Sequence, residues 1–136
     1  MRRICVALAA MLAFAAPVAP AGQLDTDPAV LAALSWLATI DAGQYQTGWE
    51  DAADSFHVGI TRERWEAELR KSRDAKGAVA SRKVVHARYT KSSYSDPGSF
   101  VEIQFETRFE KRASSETVST IRSFDGTWKV TSYRIR

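Results

Sequence analysis

The apolar positions change period once along the chain, at Gly77, dividing it into a helical half and a stranded half. From Ala29 to Ile40 only Ser35 and Thr39 are polar, and they lie four residues apart on one side. Such a stretch predicts a helix buried on most faces, or one that lends a face to a partner. Asp27-Pro28 opens it as N-cap and first turn, and Gly43 marks the break. Tyr45, Trp49, Ala52, Ala53 and Phe56 then form one stripe, predicting a second helix that Gly59 closes. Thr61 caps a third helix with a narrow stripe of Trp65 and Leu69 and three opposite-charge pairs, Arg64/Glu68, Glu66/Arg70 and Arg70/Asp74. Gly77 stops it.

Beyond Gly77 the pattern alternates. In Val79 to Thr90, Val85, Ala87 and Tyr89 share one face, and Arg82, His86 and Arg88 the other. Asp96-Pro97-Gly98 places a turn within Ser92 to Ser99. Val101, Ile103, Phe105 and Phe109 alternate with Glu102, Gln104, Glu106, Arg108 and Glu110, giving the clearest strand. One wet and one buried face imply an antiparallel sheet. Glu116 to Phe124 reads as a third strand whose inward face the pattern leaves open, and Asp125-Gly126 as a tight hairpin. In the last strand Trp128 and Val130 have one parity, Tyr133 and Ile135 the other. A bulge near Thr131-Ser132, or a strand apolar on both faces, reconciles them.

The fold expectation is therefore α+β: three N-terminal helices packed on a bent four-stranded antiparallel sheet. The nuclear-transport-factor-2-like cone is the preferred arrangement and the cystatin-like arrangement the alternative.

The start of the chain adds a compartment. Arg2 and Arg3, an apolar run from Ile4 to Ala16, and Ala19-Pro20-Ala21 predict a signal peptide over residues 1–21, cut after Ala21. A tail over 22–27 and a single domain over 28–136 complete the organisation, with a periplasmic or secreted location and no membrane span after cleavage. Cys5, the only cysteine, falls within the signal, so the mature chain has no disulfide, thiolate metal site or cysteine nucleophile. The formal charge of +3 becomes about +1 without Arg2 and Arg3. Residues 22–61 carry six acids and no Lys or Arg, whereas residues 62–136 carry 17 basic and 10 acidic residues. An acidic helical layer over a basic sheet accounts for this split, and an exported, nearly neutral chain argues against nucleic acid.

Trp36-Leu37, Asp41-Ala42-Gly43, Tyr45, Trp49, Trp65, Arg73, Gly77 and Ser81-Arg82 follow one another at telling spacings. So do Phe100-Val101, Ile103, Phe105, Thr107, Phe109, Lys111, Glu116, Asp125-Gly126, Trp128 and Tyr133. In this order they resemble the bacterial domain-of-unknown-function 4019 family over roughly residues 30 to 136. The resemblance implies a small exported α+β domain and brings no established reaction.

Candidate chemistry is sparse. His57 and His86 lie on different elements with no metal-ligand spacing, and neither a G-x-S-x-G elbow nor a glycine-rich phosphate loop occurs. No metal, cofactor or catalytic residue is assigned. His57 can pair with Asp54 on a helix end. Asp41, Tyr45 and Tyr133 are residue types that cone-fold isomerases and dehydratases use, but a corner tether and core tyrosines are the preferred reading. Arg73, Arg82 and Glu116 are candidates for an ion-pair network tying the third helix to the sheet, or for anion reading at a pocket mouth. Tyr45, Trp49, Arg82, Glu116 and Tyr133 are the ligand-binding candidates, and the four tryptophans suit a core or an apolar pocket. The function expected is a non-enzymatic exported module that binds a small molecule or protein in the sheet concavity. The alternatives are an envelope-associated structural protein forming a homodimer and, last, a small lyase or isomerase.

Overall fold

A computed structural model describes residues 27–91 and 98–136. The expected signal peptide with Cys5, nearly all of the tail, and most of the turn within Ser92–Ser99 lie outside the described residues.

The first helix, α1 (Pro28–Asp41), starts where Asp27 accepts a hydrogen bond from the Ala29 amide at 2.9 Å. Its end is a closed C-cap: Gly43, at φ 75°, donates to Ile40, and Gln44 donates back to Thr39. Ala29, Val30, Ala33, Trp36, Leu37 and Ile40 are buried, while Leu31 is exposed, so the helix buries one broad face rather than most of its circumference.

The second helix departs from expectation. The α-helical part, α2, is only Tyr45–Asp51. Ala52 and Ala53 are extended, and a 3-10 turn at Asp54–His57 follows. The Ala53 amide, which a continuing helix would direct to Trp49, donates instead to Val130 at 2.8 Å. Pairing with the sheet thus outcompetes helix propagation, although Ala52, Ala53 and Phe56 are buried as their stripe predicted. His57 does not pair with Asp54. Its Nε2 meets the Trp49 carbonyl at 2.7 Å, and its ring lies over Trp49 at 4.4 Å.

The third helix, α3 (Arg62–Asp74), is capped by Thr61, which accepts from the Arg64 amide. Arg64–Glu68 forms at 3.0 Å, but Glu66 pairs with Arg62, and Arg70 lies over the Tyr45 ring at 5.0 Å. Leu69 and Arg73 are buried and Trp65 half-buried, so the inward stripe ends on a charge.

Strands β1 (Val79–Lys91), β2 (Ser99–Phe109), β3 (Ala113–Arg122) and β4 (Trp128–Ile135) form an antiparallel meander in chain order. On β2, Val101, Ile103, Phe105, Thr107 and Phe109 are all buried. A register shift between Val84 and His86 makes Val85 a bulge and reverses the facing of β1 across it. Arg82 and Val84 therefore point inward with Ala87, and Arg82 does not share a face with His86 and Arg88. β3 begins earlier than Glu116 and ends at Arg122, leaving Phe124 exposed in the hairpin; Glu116, Val118 and Thr120 form its inward face. On β4 the pairing passes from Thr120–Val130 to Ser119–Ser132, so Thr131 is the expected bulge and both Val130 and Tyr133 face the helices. Helix α1 packs on β2, β3 and β4. Helices cover one sheet face only.

Candidate functional site

Six elements each contribute one side chain to a polar network at the helix–sheet junction. Asp41 ends α1, Arg73 lies in the last turn of α3, and Arg82, Thr107, Glu116 and Tyr133 come from β1 to β4 in order. The Val85 bulge is what turns Arg82 inward, opposite Thr107 and one strand away from Glu116. Arg82 donates from Nε to Glu116 Oε1 at 2.8 Å and grips Asp41 with both terminal nitrogens, at 2.6 and 3.1 Å. Arg73 Nη2 donates to the same Asp41, and Arg73 Nη1 stands 3.7 Å from Glu116 Oε2. The Thr107 and Tyr133 hydroxyls each donate to one Glu116 oxygen. The Arg73 guanidinium also faces the Phe109 ring at 5.2 Å.

Two guanidiniums balance two carboxylates, in an environment where Glu116 is fully buried and Arg73 nearly so. An ion pair this deep keeps its charges only with such geometry, because desolvating them costs several kcal/mol each. Burial opposes ionisation of Asp41, but hydrogen bonds and charge from Arg82 and Arg73 outweigh it and hold the carboxyl below its usual range. Burial likewise opposes the charge on Arg82, and Asp41 and Glu116 together raise its pKa above the ordinary arginine value. Burial first, then the Glu116 charge, pushes the Tyr133 phenol up, so it stays protonated as a donor.

The sign for Asp41 follows from linkage: a depressed carboxyl contributes stability above its unfolded pKa and loses it as pH falls through the folded one. The stability gap between the protein and Asp41→Asn is therefore expected to be constant near neutrality and to close below about pH 4. Urea melts at stepped pH measure it, and a gap unchanged down to pH 2 would remove Asp41 from the network.

The other ligand candidates, Tyr45 and Trp49, belong to the aromatic packing beside this network. Trp49 belongs to an aromatic cluster with Phe56 at 5.9 Å and Trp65 at 5.6 Å, and Tyr45 meets Trp65 at 6.5 Å. Trp36 joins the two groups, 5.3 Å from Tyr133 and 5.8 Å from Phe56. Tyr45 also lines a 310 Å³ pocket with Ile40, Asp41, Arg73 and Asp74. Among the described residues no three His, Cys, Asp or Glu side chains converge as a metal site, and no helix is long and apolar enough to cross a membrane.

Sequence reasoning missed a second feature. The uncovered sheet face holds a cleft of about 640 Å³ lined by Ser81, Lys83, Gln104, Glu106, Arg108 and Ser115, with Arg136 alongside. The signal was available: the outward parity of β2 places Gln104, Glu106 and Arg108 together on that face.

No curated protein and no solved structure matches the chain. One family model does, over residues 32–133, a span that takes in Trp36, both halves of the charge network and Tyr133. The chain belongs to the family described as a protein of unknown function (DUF4019).

Proposed function

We propose that the chain is an exported, non-enzymatic binding module, of nuclear-transport-factor-2-like architecture, whose ligand rests on the uncovered face of the sheet. The observation that carries this reading is the cleft there: its volume suits a small molecule, and polar side chains line it. The candidates on the helix side are committed to one another. Glu116 already accepts from Arg82, Thr107 and Tyr133, and its position at zero exposure offers a substrate no free oxygen. A Tyr133 held protonated and donating to Glu116 is no general base. Arg82, Glu116 and Tyr133 are thus assigned to holding the fold, and Tyr45 and Trp49 to its aromatic packing.

A thermal-shift screen of metabolites against the purified protein and Gln104→Trp tests this. Ligands of the cleft stabilise the protein and lose their effect when the indole fills the space. Ligands that survive Gln104→Trp but fail with Tyr45→Phe would move the site to the pocket beside Asp41. Amino-terminal sequencing of the protein recovered from the periplasm or medium tests export, with Gly22 expected as the first residue.

One observation favours homodimerisation as a second reading. Tyr89, on the edge strand β1, is half-exposed while its hydroxyl donates to Asp27, and Leu31 is exposed one turn further along α1. Sedimentation equilibrium at tens of micromolar decides it, and a monomer counts against it.

A further inference from the structure

The uncovered sheet face is built in cross-strand rows, and the rows differ in how their charges are used. Toward one end, Arg88 pairs with Glu102 at 3.4 Å and Arg134 approaches the same carboxylate at 3.8 Å. The two arginines there share that one carboxylate. Toward the other end, Lys83 lies opposite Glu106, which lies opposite Ser115, and Arg136 is bonded through its amide to the Ser115 carbonyl at 3.0 Å. The adjoining row is Ser81, Arg108 and Ala113. These two rows line the cleft. Among the described residues, the side chains of Lys83, Glu106, Arg108 and Arg136 form no ion pair within 4.0 Å; the three cationic side chains outnumber the one side-chain carboxylate and remain available.

The remaining lining is equally specific. Gln104 donates to the Ser115 hydroxyl at 3.3 Å, and with Ser81 these groups present amide and hydroxyl hydrogen-bonding positions between the cations. Among the described residues no aromatic side chain lines the cleft, and Ala113 supplies the only apolar one. A ligand held by stacking therefore finds no ring to pack on there. Arginine and lysine without partners favour an anionic group, with arginine able to hold its two oxygens at once.

Resting on the cleft as the binding site, the geometry points to an anionic polyol, a phosphorylated or carboxylated sugar, as its ligand. The anion sits over Lys83 and Arg108, and its hydroxyl-bearing body lies along Gln104 and Ser115. Arg136 adds a cation at the rim.

Amide chemical shifts of the purified protein, followed while glucose 6-phosphate, gluconate, glucose and inorganic phosphate are titrated separately, test the assignment. Glucose 6-phosphate or gluconate is expected to shift Lys83, Gln104, Arg108 and Ser115 with a Kd below about 1 mM, weakening with added salt. Glucose and inorganic phosphate are each expected to bind at least about 10-fold more weakly, since each supplies half of the recognition. Which of the two acids binds better tells a phosphate ligand from a carboxylate one. Arg108→Glu and Lys83→Glu, both at exposed positions, are expected to abolish the shifts without unfolding the protein. Glucose binding as well as its phosphate would overturn the anion while leaving the cleft as the site. Phosphate binding as well as the sugar phosphate would overturn the polyol. No shift in the cleft with any of the four, or binding untouched by Arg108→Glu, would overturn the proposal outright.

Discussion

Glu116→Ala is expected to destabilise the protein by about 3 to 5 kcal/mol, the cost of leaving buried charge without its partner. At roughly 4 °C per kcal/mol for a domain near this size, that lowers Tm by about 12 to 20 °C. Three donors lose their acceptor at once. Arg82 Nε and the Thr107 and Tyr133 hydroxyls all point at the vacated position, and water cannot reach them easily where Glu116 is fully buried. The two guanidiniums would then share Asp41 alone. Glu116→Gln keeps the volume and one acceptor oxygen but not the charge, so it should fall between alanine and the parent. Arg82→Ala is expected to cost less than Glu116→Ala, because Arg73 still faces Glu116 at 3.7 Å and two hydroxyls still bind it. The double variant Arg82→Ala/Glu116→Ala should cost little more than Glu116→Ala, a coupling of about 1 to 3 kcal/mol typical of groups in one network. Urea melts of the four proteins measure this. Losses that simply add, each under about 1 kcal/mol, would mean that the charges are solvated and the network contributes nothing.

That network shows which features the amino-acid pattern carries and which it hides. The strand parity of Val101 to Phe109 and the breaks at Gly43 and Gly77 are legible because each rests on local chemistry: alternation, or a positive φ that glycine adopts at little cost. The bulge at Thr131 is legible for the same reason, since Trp128 and Val130 conflict in parity with Tyr133 and Ile135. The bulge at Val85 gives no such conflict. Val84 and Val85 are both apolar, so either parity fits, and the facing of Arg82 is decided only when β1 pairs with β2. Arg73, Arg82 and Glu116 stand out in the chain as charges at awkward positions, but Thr107 does not, because a strand threonine fits a buried or a wet face equally. The open-face cleft was hidden differently. Its residues are ordinary polar strand positions, and only their rows across three strands separate the unpaired cations of one end from the arginines paired with Glu102 at the other.

Trp36→Ala is expected to cost about 3 to 5 kcal/mol, in the range for deleting a buried aromatic side chain. Trp36→Phe is expected to cost about 1 to 3 kcal/mol, for a separate reason. Helix α2 ends because the Ala53 amide leaves for β4, and Ala52 turns to the Trp49 carbonyl. The Gly48 carbonyl, which a continuing helix would have bonded to Ala52, accepts the Trp36 indole at 2.8 Å instead, in a buried setting. Phenylalanine would keep the contacts with Phe56, Trp65 and Tyr133 yet leave that carbonyl unpaired. Gly48→Ala tests the same junction from the other side. A Cβ there would lie 2.5 Å from Ile40 Cδ1 and 3.6 Å from the Trp36 indole nitrogen. Alanine's advantage in a helix is worth up to about 1 kcal/mol over glycine. Forcing a buried Ile40 to another rotamer costs about 1 to 3 kcal/mol, so the net effect should be destabilising. Thermal melts of the three variants check the junction. A Trp36→Phe as stable as the parent would mean that water caps Gly48, and a stabilised Gly48→Ala would mean that α1 and α2 are not in close contact there. If both losses appear, Trp36 serves the corner twice, as the ring its neighbours pack around and as the donor that replaces a missing turn of helix.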